Sequence, residues 1–391
     1  MFTFHSHARK VLAIALAITL GSFSLPTDSR GEEADGAGAS PTVCDAAPFN
    51  VEAGTRTFLT ENNRLPDSAS FTSYEIGNPQ VARVSSTGLL IPLSAGSTKI
   101  RATYVLEEGK SVTCTVPITV TAAQPLKLAF QPKAESKKVS AAGKTFAVQT
   151  VAIPKGMPVD VGLGGGRIGG TEALASIAKR KNATYAINGT FFEAYGGIPE
   201  PWGTVIADGE VAHSGNYGTT IGFTWDGKAV MDSLRITISG KTVNEDGRER
   251  GWYAYFVNRT PAETTNSAVL FTSKRGDRIG FARGTAVVVD KGIVQRIAKN
   301  ENVPIPKTGF VVVYTGSLQS QADSFGVGRP ASYKTEFKDM NGKTLDWSKV
   351  VTAVGAGPRV VKDGKVAVDA AKAGFSEAKI LSSSAARSGI G

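Results

Sequence analysis

Four times in its second half the chain repeats one device, in "IADGEV", "TWDGKAV", "VVDKGIV" and "VVKDGKV". Each joins an apolar or β-branched run to an Asp with a nearby Gly and then to another β-branched residue, the pattern of a tight hairpin turn that needs positive φ. A chain punctuated in this way is committed to short antiparallel strands. The aspartates Asp208, Asp226, Asp290 and Asp363 are therefore predicted as turn formers rather than catalytic carboxylates. The 44 glycines among 391 residues favour the same turn-rich architecture, and the length predicts two domains or one domain with an appendage.

In the first third, Val112, Cys114, Val116, Ile118 and Val120 alternate with Thr113, Thr115, Pro117 and Thr119, a strand with one buried face. Upstream, "TRTFLT", "FTSYEI", "VARVSS", "LLIPLS" and "TKIRATYVL" are separated by turn material, which predicts a small all-β sandwich over residues 41–123. Its order "NPQVARVSSTGLLIPLSAGSTKIRATY" resembles the bacterial immunoglobulin-like domains of surface proteins, and that resemblance implies a spacer or adhesive arm. Cys44 and Cys114 both fall in this region, and either a disulfide between them or two buried thiols is compatible with the sequence.

At the N-terminus, His5, His7, Arg9 and Lys10 precede the apolar run "VLAIALAITLGSFSL", and a polar, Gly-rich tract follows Pro26. Residues 1–30 read as a secretory leader, shorter than the roughly 20 apolar residues of a comfortable membrane span. No later stretch is apolar enough to span a membrane, so a bacterial protein that is secreted or displayed at the cell surface is predicted. With two of the three histidines in the leader, His213 is the sole remaining imidazole, which excludes zinc sites built on two or three histidines. No metal and no cofactor is assigned.

The formal net charge of +10 is carried by scattered Lys and Arg, without the basic runs interleaved with aromatics that mark a nucleic-acid groove. An anionic cell-wall polymer or a phosphorylated glycan is the predicted partner, and nucleic acid is not.

A linker at 124–134 leads into the second domain, 135–391. There "TEALASIAKRK" carries the start and stop signals of a short helix, with Thr171 placed to cap it and Lys179 to Lys181 at its end. The preceding "GLGGGRIGG" matches G-x-G-x-x-G, but no convincing strand precedes it and no acidic residue ends the next one, so a dinucleotide site is not predicted. A loop offering backbone N–H groups to an anion and a plain tight connection both remain open. The fold class is α+β: a mixed, strand-rich C-terminal domain with few helices behind the all-β sandwich.

After the helix, "ATYAINGTFF" is a strand ending at Asn188, whose amide both donates and accepts and so suits sugar hydroxyls, followed by Gly189, which lets a ligand approach the backbone. Of Phe191 and Phe192, at least one is expected in the core. The stretches "AINGTFF", "PWGTVIADGEV", "YFVNRTP", "GTAVVVDKGIVQRI", "AVGAGPRVVKDGKV" and "ARSGIG", in this order, resemble the phosphodiester glycosidase family, to which the lysosomal uncovering enzyme belongs. The resemblance runs from about Leu126 to the last residue. It implies hydrolytic release of a sugar from a sugar-1-phosphodiester, with Asn188 and Gly189 in the active-site region and Asn258, Arg259, Gly357, Pro358 and Arg387 around it. Family members continue past this arginine with an Asp-Gly-Gly-Gly-Ser motif, so the resemblance also implies a domain truncated at its C-terminus and an expectation of little activity in this chain.

The chemistry follows independently of the family. Breaking the anomeric bond of a sugar phosphodiester expels a phosphate monoester, a stable anion, so the demand for a strong general acid is relaxed. Charge stabilisation and water activation remain, for which Arg387 and Glu193 are the candidates. The alternative is a non-catalytic cell-envelope protein that binds glycan or takes part in exopolysaccharide assembly.

Overall fold

The computed structural model describes residues 2–4, 48–60, 71–105, 111–215, 218–383 and 386–391. Within them the chain is strand-rich, and two short α-helices occur, Leu174–Arg180 and Ala378–Leu381.

The first unit is built from two small sheets. One pairs Phe49–Glu52, Ser111–Thr121, Gly96–Val105 and Phe71–Ile76 in that order, and the other pairs Thr57–Phe58, Leu89–Pro92 and Ala82–Val84. Ile100, Ala102, Val116 and Ile118 from the first meet Leu59, Ala82 and Leu90 in one core. The predicted alternation holds along Ser111–Thr121: Cys114, Val116, Ile118 and Val120 are buried, while Thr113 and Thr115 face solvent. Cys114 is disulfide-bonded, and Cys44 lies outside the described residues.

The predicted linker runs into an antiparallel hairpin, Lys133–Ala141 with Lys144–Ala152, turned at Ala142 and Gly143 with φ of 49° and 72°. Nearly every residue of this hairpin is exposed. The expected leader lies outside the described residues apart from Phe2–Phe4, which form the middle strand between Val159–Val161 and Tyr185–Ile187.

The second unit rests on three larger sheets. The most buried orders Phe256–Val257, Ala268–Thr272, Gly309–Tyr314, Thr285–Asp290 and Ile293–Lys299. Its two inner faces feed separate cores, one through Leu270, Val287, Val312 and Trp252, the other through Phe271, Val288, Val311 and Ile305. Cover on both sides explains why "AVLFT" and "FVVVY" are continuous apolar runs rather than alternating ones. A second sheet orders Glu210–His213, Val205–Ala207, Val350–Gly355, Thr220–Thr224 and Ala229–Asp232, and a third pairs Glu249–Ala254, Arg235–Val243 and Ala331–Lys338.

The repeated turn device folds as hairpins. Asp208 and Gly209 have φ of 55° and 73°, Asp363 and Gly364 have 51° and 73°, and Lys291 and Gly292 continue the turn after Asp290. One expected cap is corrected: the helix starts at Leu174 behind Ala173, three residues past Thr171, and no side chain caps it. Glu172 is instead drawn to Arg180, at 2.6 Å, and accepts from the Gly165 amide at 3.1 Å. The glycine-rich loop thus has a carboxylate on one of the N–H groups that the anion-binding reading would need.

The two units are docked. Phe58, Leu89 and Ile91 of the first pack on Val351 of the second. Gly209 is favoured here by its positive φ, and a Cβ would press on the junction, 3.2 Å from the Phe58 ring and 3.3 Å from Leu89. Arg56 of the first unit pairs with Asp160 at 3.2 Å, and Lys291 of the second pairs with Glu75 at 2.5 Å.

Candidate functional site

The strand Tyr185–Ile187 ends at Asn188, and the chain then folds back on itself. Trp202 N–H donates to the Phe191 carbonyl at 2.8 Å, Phe192 bridges Pro201, and Glu193 N–H donates to the Glu200 carbonyl at 2.9 Å. "GTFFEA" and "EPWG" are therefore the two legs of one irregular hairpin. Its base is fixed by Gly203, whose N–H donates to Thr190 Oγ1 at 2.8 Å. A Cβ at Gly203 would lie 2.0 Å from the Gly355 carbonyl and 2.5 Å from Thr190 Oγ1, so only glycine lets the loop cross the sheet there.

Asn188 stands exposed at the foot of this hairpin, and Ser388 donates to its Oδ1 at 2.6 Å. That single bond brings "ARSGIG" against "AINGTFF" across 200 residues of sequence. Arg387, next to Ser388, is exposed, and its guanidinium donates to the Ser383 and Ala386 carbonyls at 3.3 and 3.1 Å.

The expectation of a core phenylalanine is corrected: Phe191 is 37 % and Phe192 52 % exposed. Phe191 instead forms a rim, its ring centroid 6.4 Å from that of Trp202 and 6.1 Å from that of Phe375, with Gly357 beneath it. The reason is the backward fold of the loop, which turns this leg away from the sheet in which Tyr185–Ile187 is half-buried. Gly189 and Pro358 are half-buried beside these groups. Glu193 is half-buried, and its Oε1 accepts from the Tyr195 N–H at 3.0 Å.

Beneath the rim lies a buried polar cluster. Arg275, only 3 % exposed, is paired through Nη1 with the Glu200 carboxylate. Thr260 donates through its N–H at 3.0 Å and its Oγ1 at 2.5 Å to the same carboxylate, and its Oγ1 accepts from Arg275 Nη2 at 2.7 Å. Asn258, fully buried with φ of 52°, holds the floor: Nδ2 donates to the Ala212 carbonyl and Thr272 Oγ1, while Oδ1 accepts from Thr272 N–H. Both polar atoms of its side-chain amide are thus bonded within the protein. Arg259 is exposed, with its guanidinium 4.7 Å from the centre of the Phe256 ring.

His213 is buried next to this cluster, its Nδ1 2.9 Å from the Gly203 carbonyl and its Nε2 without a partner. Burial pulls its pKa down to about 4, against the smaller upward pull of the Gly203 carbonyl, so the imidazole is neutral near pH 7 and donates from Nδ1. Among the described residues no group of three or more His, Cys, Asp or Glu side chains is arranged to hold a metal ion. No helix among them is long and apolar enough to cross a membrane.

The sequence brought Asn188, Arg387, Phe191 and Gly357 into view, and the structure sets Asn188 against the neighbour of Arg387 and Phe191 over Gly357. Glu200, Thr260 and Arg275 escaped it. The available signal was an acidic residue held between prolines in "IPEPWG", and Thr260 directly after "NR" in "FVNRTP".

No curated protein matches the chain. A crystal structure of a hypothetical protein from Synechocystis is similar in fold, with a TM-score of 0.50 and 17 % identity over 78 % of this chain, which spans 64 % of that one. A Burkholderia pseudomallei protein predicted to be exported matches with a TM-score of 0.40 and 16 % identity over 75 % of this chain and 73 % of its own. Residues 283–391, the segment that contains Gly357, Pro358 and Arg387, match the model of the phosphodiester glycosidase family, which supports for that segment the family indicated by the motifs.

Proposed function

We propose that this chain is an exported hydrolase that releases a sugar from a sugar-1-phosphodiester carried by a glycan or wall polymer. The observation that carries the reading is the Ser388 to Asn188 bond, which joins the matched segment to the "AINGTFF" strand end beneath an aromatic rim. Export rests on the leader-like sequence of residues 1–30, and the immunoglobulin-like arm serves to hold the hydrolase to its polymer.

In the proposed reaction Asn188 grips a sugar hydroxyl, Gly189 leaves room for the ring, and Phe191 with Trp202 gives it an apolar face. Water attacks the anomeric carbon as the bond to the phosphate oxygen breaks. The bonding pair leaves on that oxygen, giving a phosphate monoester whose charge Arg387 offsets. Glu193 takes the proton of the attacking water and passes it to solvent. The Arg275–Glu200–Thr260 cluster fixes the loop that presents these groups, and Arg259, Gly357 and Pro358 border it.

The test is release of free N-acetylglucosamine from an N-acetylglucosamine-1-phosphodiester. Asn188→Ala is expected to lower turnover at least about 100-fold, the scale of losing one positioned polar group, while the melting temperature stays nearly unchanged because Asn188 is exposed. An Asn188→Ala variant as active as its parent overturns the assignment. The openness of Asn188 and Arg387 favours a second reading, a glycan-binding protein without turnover, which would retain glycan while releasing no sugar.

A further inference from the structure

Where the two units meet, away from the loop of Asn188, their walls form an open cavity of about 760 Å³. Such volumes fall within the roughly 300–1,000 Å³ of small-molecule sites, and junctions between domains are where such sites concentrate. Both units supply walls: Ser73 and Arg83 come from the first, and Glu210, Lys307, Tyr333 and Trp347 from the second.

Two features of the lining call for an occupant. Ser73 Oγ and Glu210 Oε2 are buried without a hydrogen-bond partner, in residues 3 % and 7 % exposed. Buried polar atoms are normally satisfied, and an orphan is destabilising. Glu210 Oε1, by contrast, accepts from the Ser86 N–H at 2.6 Å, so the carboxylate is fixed and its second oxygen is left over. In addition, Arg83 and Lys307 border the cavity, and among the described residues neither has a carboxylate partner.

We propose that this junction cavity is a second, non-catalytic site for an anionic carbohydrate, a sugar ring bearing a carboxylate or phosphate group. Tyr333 offers aromatic surface to the ring, and Ser73 and Glu210 offer partners to its hydroxyls. Arg83 and Lys307 meet the negative charge. A neutral apolar ligand would leave the orphaned oxygens and both cations unpaired. The inference does not depend on hydrolysis at the Asn188 loop.

Titration calorimetry on the full chain tests it, with trigalacturonate and glucose 1-phosphate as the anionic sugars and maltotriose and inorganic phosphate as controls. Binding of at least one anionic sugar is expected, weakened at least tenfold in the Arg83→Ala, Lys307→Ala variant and reduced by added salt. Both side chains are exposed, so the variant should melt with its parent. Asn188→Ala should bind as the parent does, which separates failure here from failure of the hydrolytic reading. Absence of binding by both anionic sugars at millimolar concentration overturns the proposal. So does unchanged affinity in the double variant, equal binding of maltotriose, or inorganic phosphate binding as well as the sugars.

Discussion

The residues that decide the candidate site divide into those that face solvent and those that hold the loop from below. Glu200 and Arg275 belong to the second kind, and removing one member of a buried pair leaves the other charge stranded. Glu200→Ala is expected to cost about 3–5 kcal/mol in urea denaturation, and adding Arg275→Met should recover part of that loss. A single variant within about 1 kcal/mol of the parent would show that the pair is not the anchor. His213 makes a different prediction. Its pKa is about 4 in the folded chain and near its ordinary 6.5 when unfolded, so the unfolded chain binds the proton more tightly. The stabilisation is complete above pH 6.5 and is lost as pH falls through about 4. Stability measured between those pH values should decline in the parent and hold level in His213→Gln, which keeps a donor for the Gly203 carbonyl. Equal slopes would count against a buried neutral imidazole.

At the scale of elements, stability is expected to be unevenly shared. The hairpin Lys133–Ala152 is exposed on both faces, and a lone two-stranded hairpin is marginal in water. The strands Ala268–Thr272 and Gly309–Tyr314 are paired and almost wholly buried. Amide hydrogen exchange should therefore run far faster in the hairpin than in the buried pair, whose protection should approach the global value. Comparable protection in both would mean that the hairpin has cover the fold does not show. The strands Val159–Val161 and Tyr185–Ile187 are another case, because Phe2–Phe4 joins them and both would lose that partner in a chain cleaved after the leader.

For the whole molecule, the decisive contacts are those that lock the two units together. Burial raises the pKa of Asp160, but Arg56 and Lys181 more than offset it and hold the carboxyl below its usual range. Asp208, raised by burial, is likewise held low by Lys274 together with Lys181 and Arg56. Both contributions are present above the ordinary carboxylate pKa and vanish as pH falls through the lowered folded values, so acid loosening of this region should follow the loss due to His213. Asp160→Asn strips Arg56 of its partner across the junction and is expected to cost about 3 kcal/mol. Limited proteolysis should then cut between the units sooner than in the parent. An unchanged melting temperature and cleavage rate would show that the apolar patch of Phe58, Leu89, Ile91 and Val351 suffices.

What the sequence determined by itself is local. The Asp-Gly turns at Asp208 and Asp363, the one-sided strand through Cys114 and Val116, and the end of a strand at Asn188 all follow from φ preferences and period-two patterning within a few residues. Motif order also pointed to the family supported over 283–391. Only the tertiary structure decided that Phe191 and Phe192 turn outward, that the Asn258 amide is bonded within the protein, and that Glu200, Thr260 and Arg275 meet. The pairing of Asn188 with Ser388 and the junction cavity are of the same kind. These depend on long-range closure, in which charge and packing from distant segments must be satisfied together. No window of neighbouring residues carries that information.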